Sequence, residues 1–331
     1  CQYLLTGAWM TKPMSLLSRY RLILILLLGC LLTVLLLNEH LVPAGDNATY
    51  IILGQSLVTG RGFRMISDPR QPEMALYPPG YPLLLAGVLA LTHTAHNLTA
   101  AILPMKILSV VLYLAAIALA YELFKQRNPI LAIITALLMA VNPHILYFAT
   151  EVGTEVPYSF LSLGCLWLFA SPHRQAGTSG GQERRHPQWF ELLRVAVLLA
   201  LTFYVRSIAL VMVVAFVLYF AAQRRFQHAL LFLVVVGLLT APWFIHSSSL
   251  PATGTSVGLG RGYFALYFSS DPYGTERASV SDWTARLTQN LRIYALDIWP
   301  EVLFPHALRV SSLFGPLKMV FTGALALLLL L

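Results

Sequence analysis

Charge is scarce in this sequence. Only 11% of the residues are charged, against about 25% in soluble domains. That shortage excludes a water-facing globular fold and implies that lipid surrounds most of the chain. Cysteine is scarce too. Cys1, Cys30 and Cys165 show no CxxC spacing, and the last two lie inside apolar runs, so neither a zinc site nor a disulfide framework is expected. The nine histidines include no HxH or HExxH pair, so metal chemistry is not indicated. No basic cluster interleaved with aromatics stands in a polar segment. The net charge of +8 therefore reads as cytoplasmic loop charge, not as a nucleic-acid surface. No internal repeat is evident.

What is abundant is apolar residue, 57% of the chain. Leu22 to Leu37 reads as a first span. Lys12, Arg19 and Arg21 precede it and put the N-terminus in the cytoplasm. Asn38-Glu39-His40 offers no small-residue cleavage site, so the segment reads as an anchor rather than a signal peptide. Residues 38–99 then form a first external loop carrying juxtamembrane helices. Leu83 to Leu91 would rise only about 14 Å against a hydrocarbon core of about 30 Å, so it belongs at the interface. Ala100–Tyr121, Pro129–Phe148 and Val156–Ala170 follow as spans, and residues 171–190 as a cytoplasmic linker.

Val195 to Ala222 is apolar except for Arg206 and lies between Arg184-Arg185 and Arg224-Arg225. If both basic flanks are cytoplasmic, the chain crosses twice. The passes then meet near Tyr204-Val205-Arg206-Ser207, and Arg206 sits at the outer edge instead of mid-bilayer, where a lone charge is expensive. Ala229–Phe244 goes outward, residues 246–312 form a second external loop, and a further span begins at Leu313. The expectation is an all-α polytopic membrane protein with about eight transmembrane helices. Residues 1–331 form a single domain whose C-terminal part is expected to be missing, since the sequence stops inside a leucine-rich run.

This topology gathers ionisable residues on the outer side. Asp46 suits a helix N-cap and equally a general base for an acceptor hydroxyl. Arg206 can pair with an acid such as Glu155 or clamp a lipid phosphate with its forked donors. Lys106 reads as an interfacial lysine or a second phosphate contact. Glu155 opens an apolar helix, where an acid suits the dipole, and can also orient the acceptor. Glu151 reads as the weakest candidate, facing water. Tyr77-Pro78-Pro79-Gly80 reads as a rigid turn that shapes the loop, and Tyr77 joins the substrate-binding set.

In this order, DNATYIILGQSLVTGRGF, YPPGYPLLLAGVLAL, NPHILYFATEVGTEVPYSFLSL, TFYVRSIAL and APWFIHS resemble the membrane glycosyltransferases of the C-type fold. More narrowly they resemble the bacterial family-39-like branch, which is related to protein O-mannosyltransferases and lipid A aminoarabinose transferases. The resemblance implies a polyprenyl or dolichyl phosphate sugar as donor and a glycan, lipid or protein as acceptor. It implies inverting transfer on the periplasmic or lumenal face of an integral membrane protein, in a bacterial inner membrane. The acid of the first external loop, Asp46, would be the base, with Glu155 and Arg206 in the donor and acceptor site. Asn47 stands where many relatives carry a second acid, so no cofactor is expected and a divalent metal is not indicated. His246 stands where relatives commonly show Arg-Asn after Pro-Trp, which makes it a weaker or pH-dependent phosphate contact. The rival reading is a transporter or flippase of a lipid-linked sugar, which would favour inverted repeats and broken mid-membrane helices.

Overall fold

The computed structural model describes residues 16–41, 46–125, 128–170, 188–250, 268–270 and 276–298. These form helices α1 (Leu16–Leu36), α2 (Asn47–Val58), α3 (Gly80–Leu91), α4 (Leu98–Lys125), α5 (Pro129–Val141), α6 (Pro143–Ala149), α7 (Glu155–Ala170), α8 (Gln188–Val205), α9 (Leu210–Ala222), α10 (Phe226–Ser249) and α11 (Val280–Ile293). Among the described residues, β pairing is limited to the isolated bridges Arg64–Glu73 and Ser269–Arg277.

Side-chain contacts show that the long helices alternate in direction between two ends of a bundle. Asn38, just past α1, meets Lys106 near the start of α4, while Gly29 lies against Tyr113 and Ile117 further along α4. Arg206, after α8, meets Glu155 at the start of α7. Beyond Arg206 the chain turns back, and Phe216, Tyr219 and Phe220 of α9 pack their rings on Phe169 at the far end of α7. α10 then returns: Phe232 packs on Phe216 and Phe220, and Trp243 reaches Phe63 of the first loop. The reversal of the chain expected at Arg206 is therefore present.

Among the described residues, two helices are long and apolar enough to cross a membrane by themselves, Leu98–Lys125 and Phe226–Ser249. The pair Pro129–Val141 and Pro143–Ala149, bent by 62°, makes a third if it is counted as one span. Leu24, Val34, Leu138, Val211, Leu230 and Leu238 are largely exposed on the outside of the bundle. Apolar surface on that scale is foreign to a soluble monomer and suits lipid. The expected count of about eight spans goes beyond what these helices establish, and the span expected from Leu313 lies outside the described residues. So do most of the expected cytoplasmic linker and of the second external loop.

Two local devices shape the end where the polar residues gather. Asn128 and Asn142 each cap a helix whose first residue is proline: Asn128 Oδ1 accepts from Ile130 and Leu131 N–H, and Asn142 Oδ1 from His144 and Ile145 N–H. A residue before proline is driven out of the helical region, and Asn142 is extended at φ −68°, ψ 122°. That break swings α6 away from α5 and carries Tyr147 to Thr150 toward the site.

The second device is the α2–α3 pair, a small core over the bundle. Leu53, Leu85, Leu89 and Met74 are fully buried in it, each leucine contributing about 1.5–3 kcal/mol. Gly54 lets the helices close up, since a Cβ there would lie 3.1 Å from Leu85 Cβ and Pro82 O.

Candidate active site

Asp46 occupies the N-cap position of α2. Its backbone carbonyl accepts from Tyr50 N–H at 3.0 Å, but its side chain makes no cap bond. The carboxylate instead accepts from the Tyr77 hydroxyl at 2.5 Å. Tyr77 is held by an edge-on contact with Tyr50, which in turn meets Tyr81 edge-on, with ring centroids 5.0 and 5.2 Å apart. Tyr81 is enclosed; burial first, and then the charge of Glu155, push its phenol well above the ordinary value. It stays neutral and acts as packing.

Gly80 seats this tyrosine group on α8. A Cβ on Gly80 would lie 2.6 Å from the Tyr204 carbonyl carbon and oxygen. Only glycine tolerates that approach, and the need here is closeness, not a positive φ. The Tyr-Pro-Pro-Gly segment is therefore the joint between the first loop and the segment that carries Arg206.

Arg206 stands in extended backbone, φ −153°, ψ 120°, where α8 stops. Its Nη1 donates to Glu155 Oε1 at 2.6 Å and to Thr154 Oγ1 at 3.2 Å. The two charged side chains are 39% and 35% exposed, so the pair is solvent-screened and contributes little to stability. Gly153 leaves room for the second oxygen of Glu155, from which a Cβ would be 2.5 Å away.

Asp46, Tyr77, Glu151, Glu155 and Arg206 line one open cavity of about 210 Å³, whose wall also includes Tyr147. Typical ligand clefts enclose about 300–1,000 Å³, so the described cavity suits a ring-sized group. Asp46 and Arg206, 160 positions apart (206 − 46) in the chain, thus face the same space.

Two other expected contacts lie elsewhere. Lys106 is fully enclosed and does not line the cavity. Its ammonium donates to Asn38 Oδ1 at 3.1 Å, His40 O at 2.7 Å and Glu151 Oε1 at 3.1 Å. An ammonium has three protons, so none is left for a phosphate. His246 stacks on Trp243 with centroids 5.5 Å apart, outside the cavity lining. No group of three His, Cys, Asp or Glu that could hold a metal occurs among the described residues.

Sequence reasoning set Glu151 aside as water-facing, yet it is 8% exposed and paired with a buried lysine. The available signal was that a lysine inside an apolar span needs a partner.

Residues 77–246 match the model of the dolichyl-phosphate-mannose-protein mannosyltransferase family. The chain belongs to that family. Tyr77, Lys106, Glu151, Glu155, Arg206 and His246 fall within the matched stretch, and Asp46 precedes it. No curated protein and no solved structure matches the chain. Family membership makes the chain a glycosyltransferase of the lipid-phosphate-sugar class, and with its apolar helices an integral membrane protein.

Proposed function

We propose that the chain is an inverting glycosyltransferase that moves a sugar from a polyprenyl or dolichyl phosphate to an acceptor hydroxyl. Asp46 is the general base. The acceptor oxygen attacks the anomeric carbon, its proton passes to the Asp46 carboxylate, and the bond from that carbon to the phosphate oxygen breaks. The electron pair leaves with the lipid phosphate, whose charge Arg206 stabilises. Fixed donors aimed at a developing charge are usually the largest catalytic factor.

The observation that supports this reading best is the shared cavity of Asp46 and Arg206. Asp46 is spared from capping its own helix, and Tyr77 holds it from one side. Arg206 and Glu155 already touch, so an incoming phosphate shares the guanidinium, while Glu155 orients the acceptor. The cavity opens on the periplasmic or lumenal side, with the N-terminus cytoplasmic.

Asp46→Asn keeps the shape and removes the base. It is expected to abolish sugar transfer from labelled dolichyl phosphate mannose to membrane acceptors, with unfolding behaviour like that of the parent. Full transfer by a folded D46N protein removes Asp46 from the mechanism.

A further inference from the structure

Among the described residues, Glu151 is the one acid of the cavity wall that is almost fully buried. Lys106 fixes it: the ammonium is enclosed, its three protons are committed, and one of them holds Glu151 Oε1 at 3.1 Å. The other oxygen, Oε2, is buried and has no hydrogen-bond partner among the described residues. A carboxylate oxygen held out of bulk solvent without a donor is costly, so the natural source of a donor is whatever enters the cavity that Glu151 walls.

The turn that carries Glu151 also identifies that visitor. Three and four residues on, Thr154 and Glu155 both bind Arg206, where the donor phosphate is placed. In a lipid-phosphate sugar the ring is joined directly to that phosphate. The group beside Glu151 is then the sugar ring, and the only hydrogen-bond donors that a plain hexose ring offers are hydroxyls.

We propose that Glu151 is a sugar-binding residue whose Oε2 accepts a hydrogen bond from a ring hydroxyl of the donor lipid, and that Lys106 is its positioning residue. This rests on the donor class proposed above. Lys106 acts on the sugar end of the substrate through Glu151, and not on the phosphate.

The test is equilibrium binding of dolichyl phosphate mannose and of dolichyl phosphate to the full chain in lipid nanodiscs. The parent protein is expected to bind the mannosyl lipid more tightly. Glu151→Gln is expected to lose about tenfold or more in affinity for the mannosyl lipid and nothing for dolichyl phosphate. Glu151→Asp, which keeps the charge beside Lys106 and withdraws it by one methylene, replaces that variant if E151Q does not fold. Lys106→Arg is expected to give the same sugar-selective loss, whereas a merely structural lysine would weaken both lipids alike. Equal loss for both lipids, or no loss for either, overturns the proposal and leaves the donor class standing. A parent protein that binds neither lipid refutes the donor class itself.

Discussion

Adding one methyl group at Gly80 tests the geometry that joins the two halves of the cavity. In Gly80→Ala the new Cβ would lie 2.6 Å from the Tyr204 carbonyl carbon and oxygen, and ordinary contact begins at 3.4 Å. The start of α3 must therefore move off α8 by about 0.8 Å (3.4 − 2.6), because the clash is with backbone that no rotamer change can relieve. Overpacking of this kind costs about 1–3 kcal/mol. The same shift draws Tyr77, three residues away, from its place beside Asp46. A misplacement near 1 Å can lower a rate about a hundredfold. Gly87 supplies the control. It lies on the same helix with nothing within 4 Å of a built Cβ, and alanine is the better helix former by about 0.8–1.0 kcal/mol. The assay is denaturant unfolding of the full chain in detergent, together with sugar transfer from labelled dolichyl phosphate mannose. Gly80→Ala should lower both stability and transfer, and Gly87→Ala should lower neither. If Gly80→Ala unfolds at the parent's midpoint and transfers at the parent's rate, the close approach of α3 to α8 is not what holds the site together.

Two other changes follow from the same contacts. Lys106→Met leaves Glu151 as a buried charge without its partner and should cost about 3–5 kcal/mol in unfolding measurements, while Lys106→Met/Glu151→Leu should recover much of that loss, because replacing both members of a buried pair is far milder than removing one; a single variant as stable as the double contradicts the buried pair. Tyr77→Phe keeps the rings on Tyr50 but loses the donor to Asp46. It should slow transfer by about ten- to a hundredfold, the equivalent of a hydrogen bond to a charged group, with little change in stability; an unchanged rate would mean that the Asp46 carboxylate needs no anchoring.

Much of this protein is written in its sequence, because lipid imposes simple rules. A charge inside an apolar run must reach an edge or a partner, so Arg206 between two basic flanks was enough to predict that the chain turns there. The proline-glycine segment at Tyr77 to Gly80 likewise announced a rigid joint, and the ordered motifs announced the glycosyltransferase family. The length of the apolar runs placed α4 and α10 well. It could not foresee the 62° break at Asn142-Pro143, because one Asn-Pro pair opens α5 and the next one interrupts the expected span.

Partner choice was decided only by the tertiary structure. From sequence alone, Lys106 was equally open to the membrane interface and to a phosphate, and Glu151 was indistinguishable from a solvated residue. Packing removed the choice by enclosing the ammonium among Asn38, His40 and Glu151. The identity of a buried charge is local, but its partner is set by which distant segments meet. Those meetings depend on side-chain fits such as Gly80 on Tyr204, which leave no periodic trace along the chain.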